Sequence, residues 1–247
     1  MVRLLGLTGP IACGKSTVSA LLAEGPEGWP VVDADKIAHQ LLADPAGPVH
    51  RRVVAAFGSG ILTEGIIDRE KLGKIVFADP AKRRELDKAT HGAILWAILR
   101  RTCALMMAGH RCIVLDVPLL LKFPLLRRLF LSAVLVVVVS PEVQLARLMS
   151  RNELSEEEAK KKIAAQLSAE AQRKLADEVI ENNGTQEDLR RAVADFRRAA
   201  VRGWPASVVC VTLAAGLVAG AALVKAGTSA ASAVGCLSLA AVAVCMA

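Results

Sequence analysis

The sequence predicts an α/β fold: a parallel sheet with helices on both faces and a phosphate-binding loop after the first strand. Three observations predict it. Gly9-Pro10-Ile11-Ala12-Cys13-Gly14-Lys15-Ser16 is a complete GxxxxGK[ST] loop. Strand and helix patterns alternate along the chain, as in parallel sheets. Residues 112–117 and 133–139 are apolar runs, as buried central strands require.

Taken in order, residues 3–8 form a short apolar strand, and residues 17–24 carry the apolar spacing of a helix. Strand, glycine turn and helix start together aim backbone N–H groups at one anion. In such a loop Lys15 reaches the β/γ-phosphates and the Ser16 hydroxyl ligates Mg²⁺, so the motif implies a nucleoside triphosphate. Residues 31–35 read as a second strand ending in Asp33 and Asp35, followed by a helix over 36–43. From 44 to 109 the helical period dominates, broken at Gly58-Ser59-Gly60 and Asp79-Pro80. That stretch is too long for one crossover and reads as a helical insertion.

Pro141 opens a helix carrying Gln144, Arg147 and Arg151, the start of a lid over about 141–170. Ser155-Glu156-Glu157-Glu158 is a capping box, and Glu156/Lys160, Glu157/Lys161 and Glu158/Lys162 are spaced i,i+4 on a solvated face. Val179 and Ile180 mark a short strand, and residues 185–199 a basic final helix.

A chain of 247 residues holds one α/β domain plus an appendage. Residues 1–203 form the globular part; all charged residues except Lys225 lie at or before Arg202, so 30 basic residues face 24 acidic ones there. This balance suits a phosphate-rich substrate. With 3% aromatics, no tyrosine and no arginine-rich tract interleaved with aromatics, base stacking has few candidates, and nucleic acid is not expected as a partner. The six cysteines show neither a CxxC pair nor metal-ligand spacing, the pattern of a reducing compartment. Cys13 reads as a small neutral filler or as an alkylation-sensitive thiol. A cleavable presequence is not expected, since its removal would take part of the nucleotide site. Oligomeric state is not legible.

Residues 206–247 change class. Residues 206–224 form a nineteen-residue stretch without charge, followed after Lys225 by twenty-two more. Nineteen residues of helix span about 28 Å, near the thickness of a bilayer's hydrocarbon. Two readings fit, a membrane helix and a buried core helix, and apolar residues on every face favour the first; one span with a trailing segment is favoured over a two-span hairpin turning at residues 225–229. Arg190, Arg191, Arg197, Arg198 and Arg202 precede the span, which puts the globular part on the cytosolic side of an organelle membrane. Modest hydrophobicity with basic flanks favours the mitochondrial outer membrane over the endoplasmic reticulum.

The chemistry narrows to a small kinase. A guanine-reading Asn-Lys-x-Asp is missing, so a GTPase is excluded. Asp33 and Asp35 lie at the strand end where ligands bind in open α/β sheets. Asp35 then accepts the proton of an attacking hydroxyl while Asp33 orients the strand end or the metal; alternatively one of the two caps the helix that follows.

These residues resemble dephospho-CoA kinases. The likeness runs through residues 6–16 and 33–39, Phe57-Gly58, residues 65–69, Leu72-Gly73, Val76-Phe77 and His91. It continues through residues 116–120, Gln144 to Leu148 with Arg151, and residues 176–180 with Asn182. It covers residues 2–197, and the apolar tail is similar to animal members that also end in a hydrophobic segment.

The resemblance implies transfer from ATP, with Mg²⁺, to the ribose 3′-hydroxyl of dephospho-CoA, the last step of coenzyme A synthesis. It implies Asp35, Lys15, Arg147 and Arg151 as catalytic residues. ATP contacts fall on Gly9, Pro10, Ile11, Ala12, Cys13, Gly14, Lys15, Ser16, Thr17 and Asn182, with Ser16 on the metal. Asp33, Asp68, Arg69 and His91 are the substrate-side candidates. Three positions depart from the family pattern. Pro10 deletes one loop N–H, Gly92 replaces a proline and is expected to loosen a turn, and Lys122 stands where an acid is usual. Two other readings stay open: a different small-metabolite kinase, and a membrane-anchored nucleotide-binding protein with weakened catalysis.

Overall fold

A computed structural model describes residues 2–117, 127 and 131–203. The expected membrane tail at 206–247 and the charge at Lys122 lie outside these residues. Among the described residues no helix is long and apolar enough to cross a membrane.

The elements alternate. Strand β1 (Arg3–Thr8) leads through the loop to α1 (Lys15–Ala23), then β2 (Val31–Asp33) and α2 (Ala34–Ala43). Helix α3 (Pro48–Phe57), the short pair β3 (Leu62–Thr63) and β4 (Ile66–Ile67), and helices α4 (Arg69–Ala78) and α5 (Pro80–Met107) follow. Then come β5 (Cys112–Asp116), β6 (Ala133–Val138), α6 (Pro141–Asn152), α7 (Glu156–Ala164), α8 (Ala169–Arg173), β7 (Glu178–Glu181) and α9 (Gln186–Gly203). Among the described residues the main sheet has five strands in the order β2-β5-β1-β6-β7. Strands β1 and β6 pair parallel with Leu5 opposite Ala133, and β6 and β7 pair parallel with Leu135 opposite Glu178.

The chain divides into two compact units. The first holds the described parts of Met1–Pro30, His110–Val114 and Pro118–Ala247. Its strands are buried on both faces: Leu5, Leu7 and all of β6 are core, which explains the unbroken apolar runs. Val18 and Leu22 of α1 and Leu189 and Val193 of α9 are buried in the same unit. Trp29 meets Phe196 edge to face at 6.0 Å, and the Arg197 guanidinium lies 5.8 Å from the Trp29 ring while donating to the Glu24 and Glu27 carbonyls.

The second unit is Val31–Gly109 with Leu115–Val117. Val49, Val53, Ile61, Ile67 and Leu72 form its core, so α3, α4 and the β3–β4 pair share one apolar centre. Helical periodicity found the helices here but missed the β3–β4 pair, whose two-residue strands are too short to show alternation.

Two local expectations need correction. The second strand ends at Asp33 rather than at residue 35, and α2 begins at Ala34, two residues earlier than its apolar spacing suggests. Asp33 is the N-cap, which starts the helix early and carries Asp35 into its first turn. Gly92 loosens no turn, because α5 runs through it unbroken; without proline there, no helical N–H is lost.

Candidate functional site

The phosphate loop joins β1 to α1 within the first unit. Gly14 is the N-cap of α1 at φ 88°, a left-handed conformation that favours glycine. A Cβ there would overlap the Asn182 side-chain amide and approach Arg147 Nη1 to 4.0 Å. Gly9 is needed for closeness: a Cβ would come within 2.5 Å of the Val137 carbonyl oxygen on β6. Ala12 is also left-handed, at φ 61°, where an L-residue is strained by roughly 1 kcal/mol or more.

Side chains from distant parts of the chain hold this backbone. The Asn182 amide, buried at the end of β7, donates to the Cys13 carbonyl at 2.9 Å. The Gln144 amide donates to the Ile11 carbonyl at 2.9 Å, and the Gln166 amide oxygen accepts from Ile11 N–H at 2.8 Å. Within the loop, Cys13 N–H donates to the Pro10 carbonyl at 3.3 Å, and Thr17 and Val18 N–H both donate to the Gly14 carbonyl. Pro10 has no N–H to give.

Cys13 is 1% exposed, and burial pushes its thiol up against the opposing pull of the Lys15 amide and charge. A buried thiol so shifted is a poor nucleophile, which favours the filler reading of Cys13. Burial likewise pushes Cys112 up to about 12.

Arg147 and the candidate ATP-side residues Gly9 to Thr17 and Asn182 are therefore gathered in one place. Arg151 lies one turn after Arg147 on α6, with its Nε donating to Asn152 Oδ1 at 3.0 Å. Ser16 is exposed in the first turn of α1. Mg²⁺ takes few protein oxygens and fills its sphere with phosphate oxygens and water, so an exposed hydroxyl beside the loop fits that ion. Among the described residues, three or more His, Cys, Asp or Glu side chains nowhere cluster to hold a metal by themselves.

The other candidates belong to the second unit. Asp33 caps α2, accepting from Lys36 N–H at 2.9 Å, and pairs with the Lys36 ammonium at 3.7 Å. Asp35 is exposed in the first turn, so the capping role falls to its neighbour. Asp68 caps α4, accepting from Glu70 N–H at 2.9 Å and Lys71 N–H at 3.2 Å, while the Thr63 hydroxyl donates to its other oxygen at 2.9 Å. These bonds, led by the Lys71 amide, hold its carboxyl below the usual aspartate range. Arg69 opens α4. His91 lies exposed on α5 with Nδ1 3.1 Å from the Asp87 carbonyl oxygen. Sequence reasoning missed Gln166 at the loop. It follows α7 with no local pattern to mark it, and its partner is 155 residues away.

Known proteins share this sequence and fold. Residues 3–188 match the family model for dephospho-CoA kinase. The chain is 46% identical over 192 residues to a dephospho-CoA kinase of Geobacillus kaustophilus, covering 77% of this chain and 93% of that protein. It is 45% identical over 191 residues to a dephospho-CoA kinase domain-containing protein of Danio rerio, covering 77% of this chain and 82% of that protein. A crystal structure from Thermus thermophilus aligns at a TM-score of 0.64 and 31% identity, covering 82% of this chain and 99% of its own. Sequence and fold agree over the same stretch that carries the phosphate loop, and the chain belongs to the dephospho-CoA kinase family.

Proposed function

We propose that this chain transfers the γ-phosphoryl group of ATP to the ribose 3′-hydroxyl of dephospho-CoA, giving coenzyme A and ADP. The observation that carries this reading is the built phosphate loop, with left-handed Gly14 closed against Asn182 and Arg147, in a chain of this family.

Loop amides and the N-terminus of α1 bind the β- and γ-phosphates, and Lys15 follows the charge onto the γ-phosphoryl. Ser16 would hold Mg²⁺, which when bound would neutralise charge on the phosphate oxygens. Asp35 accepts the proton of the attacking hydroxyl, and Arg147 and Arg151 stabilise charge on the transferring group. Asp33 and Asp68 act on the substrate side as the caps that start α2 and α4, fixing Asp35 and Arg69; His91 completes that side.

The test is ADP release by the full chain with dephospho-CoA, adenosine or AMP as acceptor. Dephospho-CoA is preferred by a wide margin. Equal transfer to AMP would mean a different small-metabolite kinase. Bound ATP with no transfer to any acceptor would mean weakened catalysis, with Lys122 the first residue to revert to an acid.

Residues 206–247 anchor the chain in an organelle membrane with the kinase part facing the cytosol, the mitochondrial outer membrane ahead of the endoplasmic reticulum. The uncharged stretch of nineteen residues and the arginines before it support this reading. Carbonate extraction should leave the full chain in the membrane and release a chain ending at Gly203. Release of both would make the tail a core or interaction helix.

A further inference from the structure

We propose that Gln144 and Gln166 are positioning residues that set the phosphate loop by gripping both sides of Ile11; the inference rests on the kinase reading above. Gln166 takes the N–H of the peptide before the Ile11 Cα, and Gln144 takes the carbonyl of the peptide after it, at 2.8 and 2.9 Å. The orientation of both amides follows from their partners, since an N–H needs an acceptor and a carbonyl a donor. Two peptide planes pinned on either side of one Cα fix its φ and ψ. The next residue is Ala12, held left-handed at φ 61° without being glycine. Such a conformation persists only where the surroundings over-determine it. The clamp on Ile11 is that constraint on one side, and Asn182 on the Cys13 carbonyl is the constraint on the other.

Each glutamine is itself placed. Gln144 is buried, and it lies three residues before Arg147, on the same face of α6. Gripping Ile11 therefore registers that helix against the loop and brings Arg147 to Gly14. Gln166 leads into a turn whose Leu167 carbonyl accepts from the buried Gln172 amide at 2.9 Å. The two ends of the segment 144–166, which carries most of α6 and all of α7, thus close on one residue of the loop. Ile11 gives its own N–H and carbonyl to the clamp, so the glutamines act on nucleotide through loop shape and touch no reacting atom.

The direction of the two bonds supplies the test. Glutamate at 166 still accepts from Ile11 N–H. Glutamate at 144 has no proton to donate and sets a carboxylate against a carbonyl oxygen. Both substitutions add one negative charge beside the same residue, so repulsion of the triphosphate enters both variants and their difference reads the hydrogen bond. Full-length Gln166→Leu, Gln166→Glu, Gln144→Leu and Gln144→Glu are compared for ATP affinity by calorimetry, and for kcat and both KM values.

The leucine variants lose about tenfold in kcat/KM for ATP, the scale of one lost hydrogen bond. KM for dephospho-CoA stays at its wild-type value. Gln166→Glu binds ATP at least as tightly as Gln166→Leu, whereas Gln144→Glu binds more weakly than Gln144→Leu. Leucine variants with wild-type ATP affinity, or glutamate variants that fall alike at both positions, would overturn the proposal. If buried position 144 does not tolerate change, the exposed position 166 decides alone, through the loss of ATP affinity in Gln166→Leu, which adds no charge. Wild-type protein that binds ATP but does not phosphorylate dephospho-CoA sinks the functional reading, while calorimetry still reads the clamp.

Discussion

The phosphate loop and the helix starts of the helical unit hold their polar groups in opposite ways. In the phosphate-loop unit, the side chains that grip the loop come from 133, 155 and 169 residues away. In the helical unit, Asp33, Asp68 and Asp79 each cap a helix by accepting from amides two or three residues ahead. The first arrangement makes an anion site out of backbone, and backbone groups have to be aimed by something outside the loop. The second satisfies each acid within one turn, so the helix starts are set locally. Substitutions at the loop and its long-range braces should therefore register in nucleotide binding, and those at helix starts in stability, with Asp35 the exception.

Two substitutions test the loop rule and its exception at the largest scale. Lys15→Ala should lower kcat by about 10³-fold or more, the scale of losing one charged contact to the developing charge, while the thermal midpoint stays near wild type. Asp35→Asn should lower kcat by roughly 10²-fold and leave ATP affinity intact, as measured by ADP release and calorimetry. A near-normal kcat for Asp35→Asn would place this acid with its neighbours as a feature of a helix start, and the contrast between the units would then have no exception.

Asn182→Ala probes the long-range side. Removing the amide leaves the Cys13 carbonyl without its donor in a buried place, at a cost of about 1–3 kcal/mol. Urea unfolding should show that loss, and KM for ATP should rise, because the same carbonyl belongs to the loop. Loss of stability with an unchanged KM would show that the brace serves the fold alone.

Much of this was legible in the sequence, for reasons the same contrast explains. GxxxxGKS between an apolar run and a helical pattern identifies the loop, because glycine at a left-handed N-cap is a local demand that the sequence shows directly. The capping box at Ser155 is equally local and stands as read, with Glu158 returning to the Ser155 backbone. Asp33 and Asp35 were found, but not which of them caps, because both precede an apolar helical pattern and only the backbone at Asp33 decides it. The reach of Gln166 to Ile11 had no signature at all. Nothing near residue 166 encodes a partner 155 residues earlier; the sheet order that joins β1 to β6 and β6 to β7 does.

The smallest effect belongs to the corner at Asp68, where the local rule can be tested by pH. Its carboxyl is held below the usual aspartate range first by the Lys71 N–H, then by the Thr63 hydroxyl and the Glu70 N–H, all of which prefer the charged form. The Lys71 ammonium adds to the corner by donating to the Leu62 carbonyl and the Thr63 hydroxyl oxygen. A pKa lower in the folded chain than in the unfolded one means the unfolded chain binds the proton more readily. The stabilisation is therefore complete above the unfolded pKa, near 4, and drains away as pH falls through the folded value. Thermal midpoints of wild type and Asp68→Ala should differ by a constant amount at neutral pH and converge below about pH 4. A gap that persists unchanged into acid would mean that Asp68 stabilises α4 by packing rather than by its charge, and the capping account of the helical unit would fail at this corner.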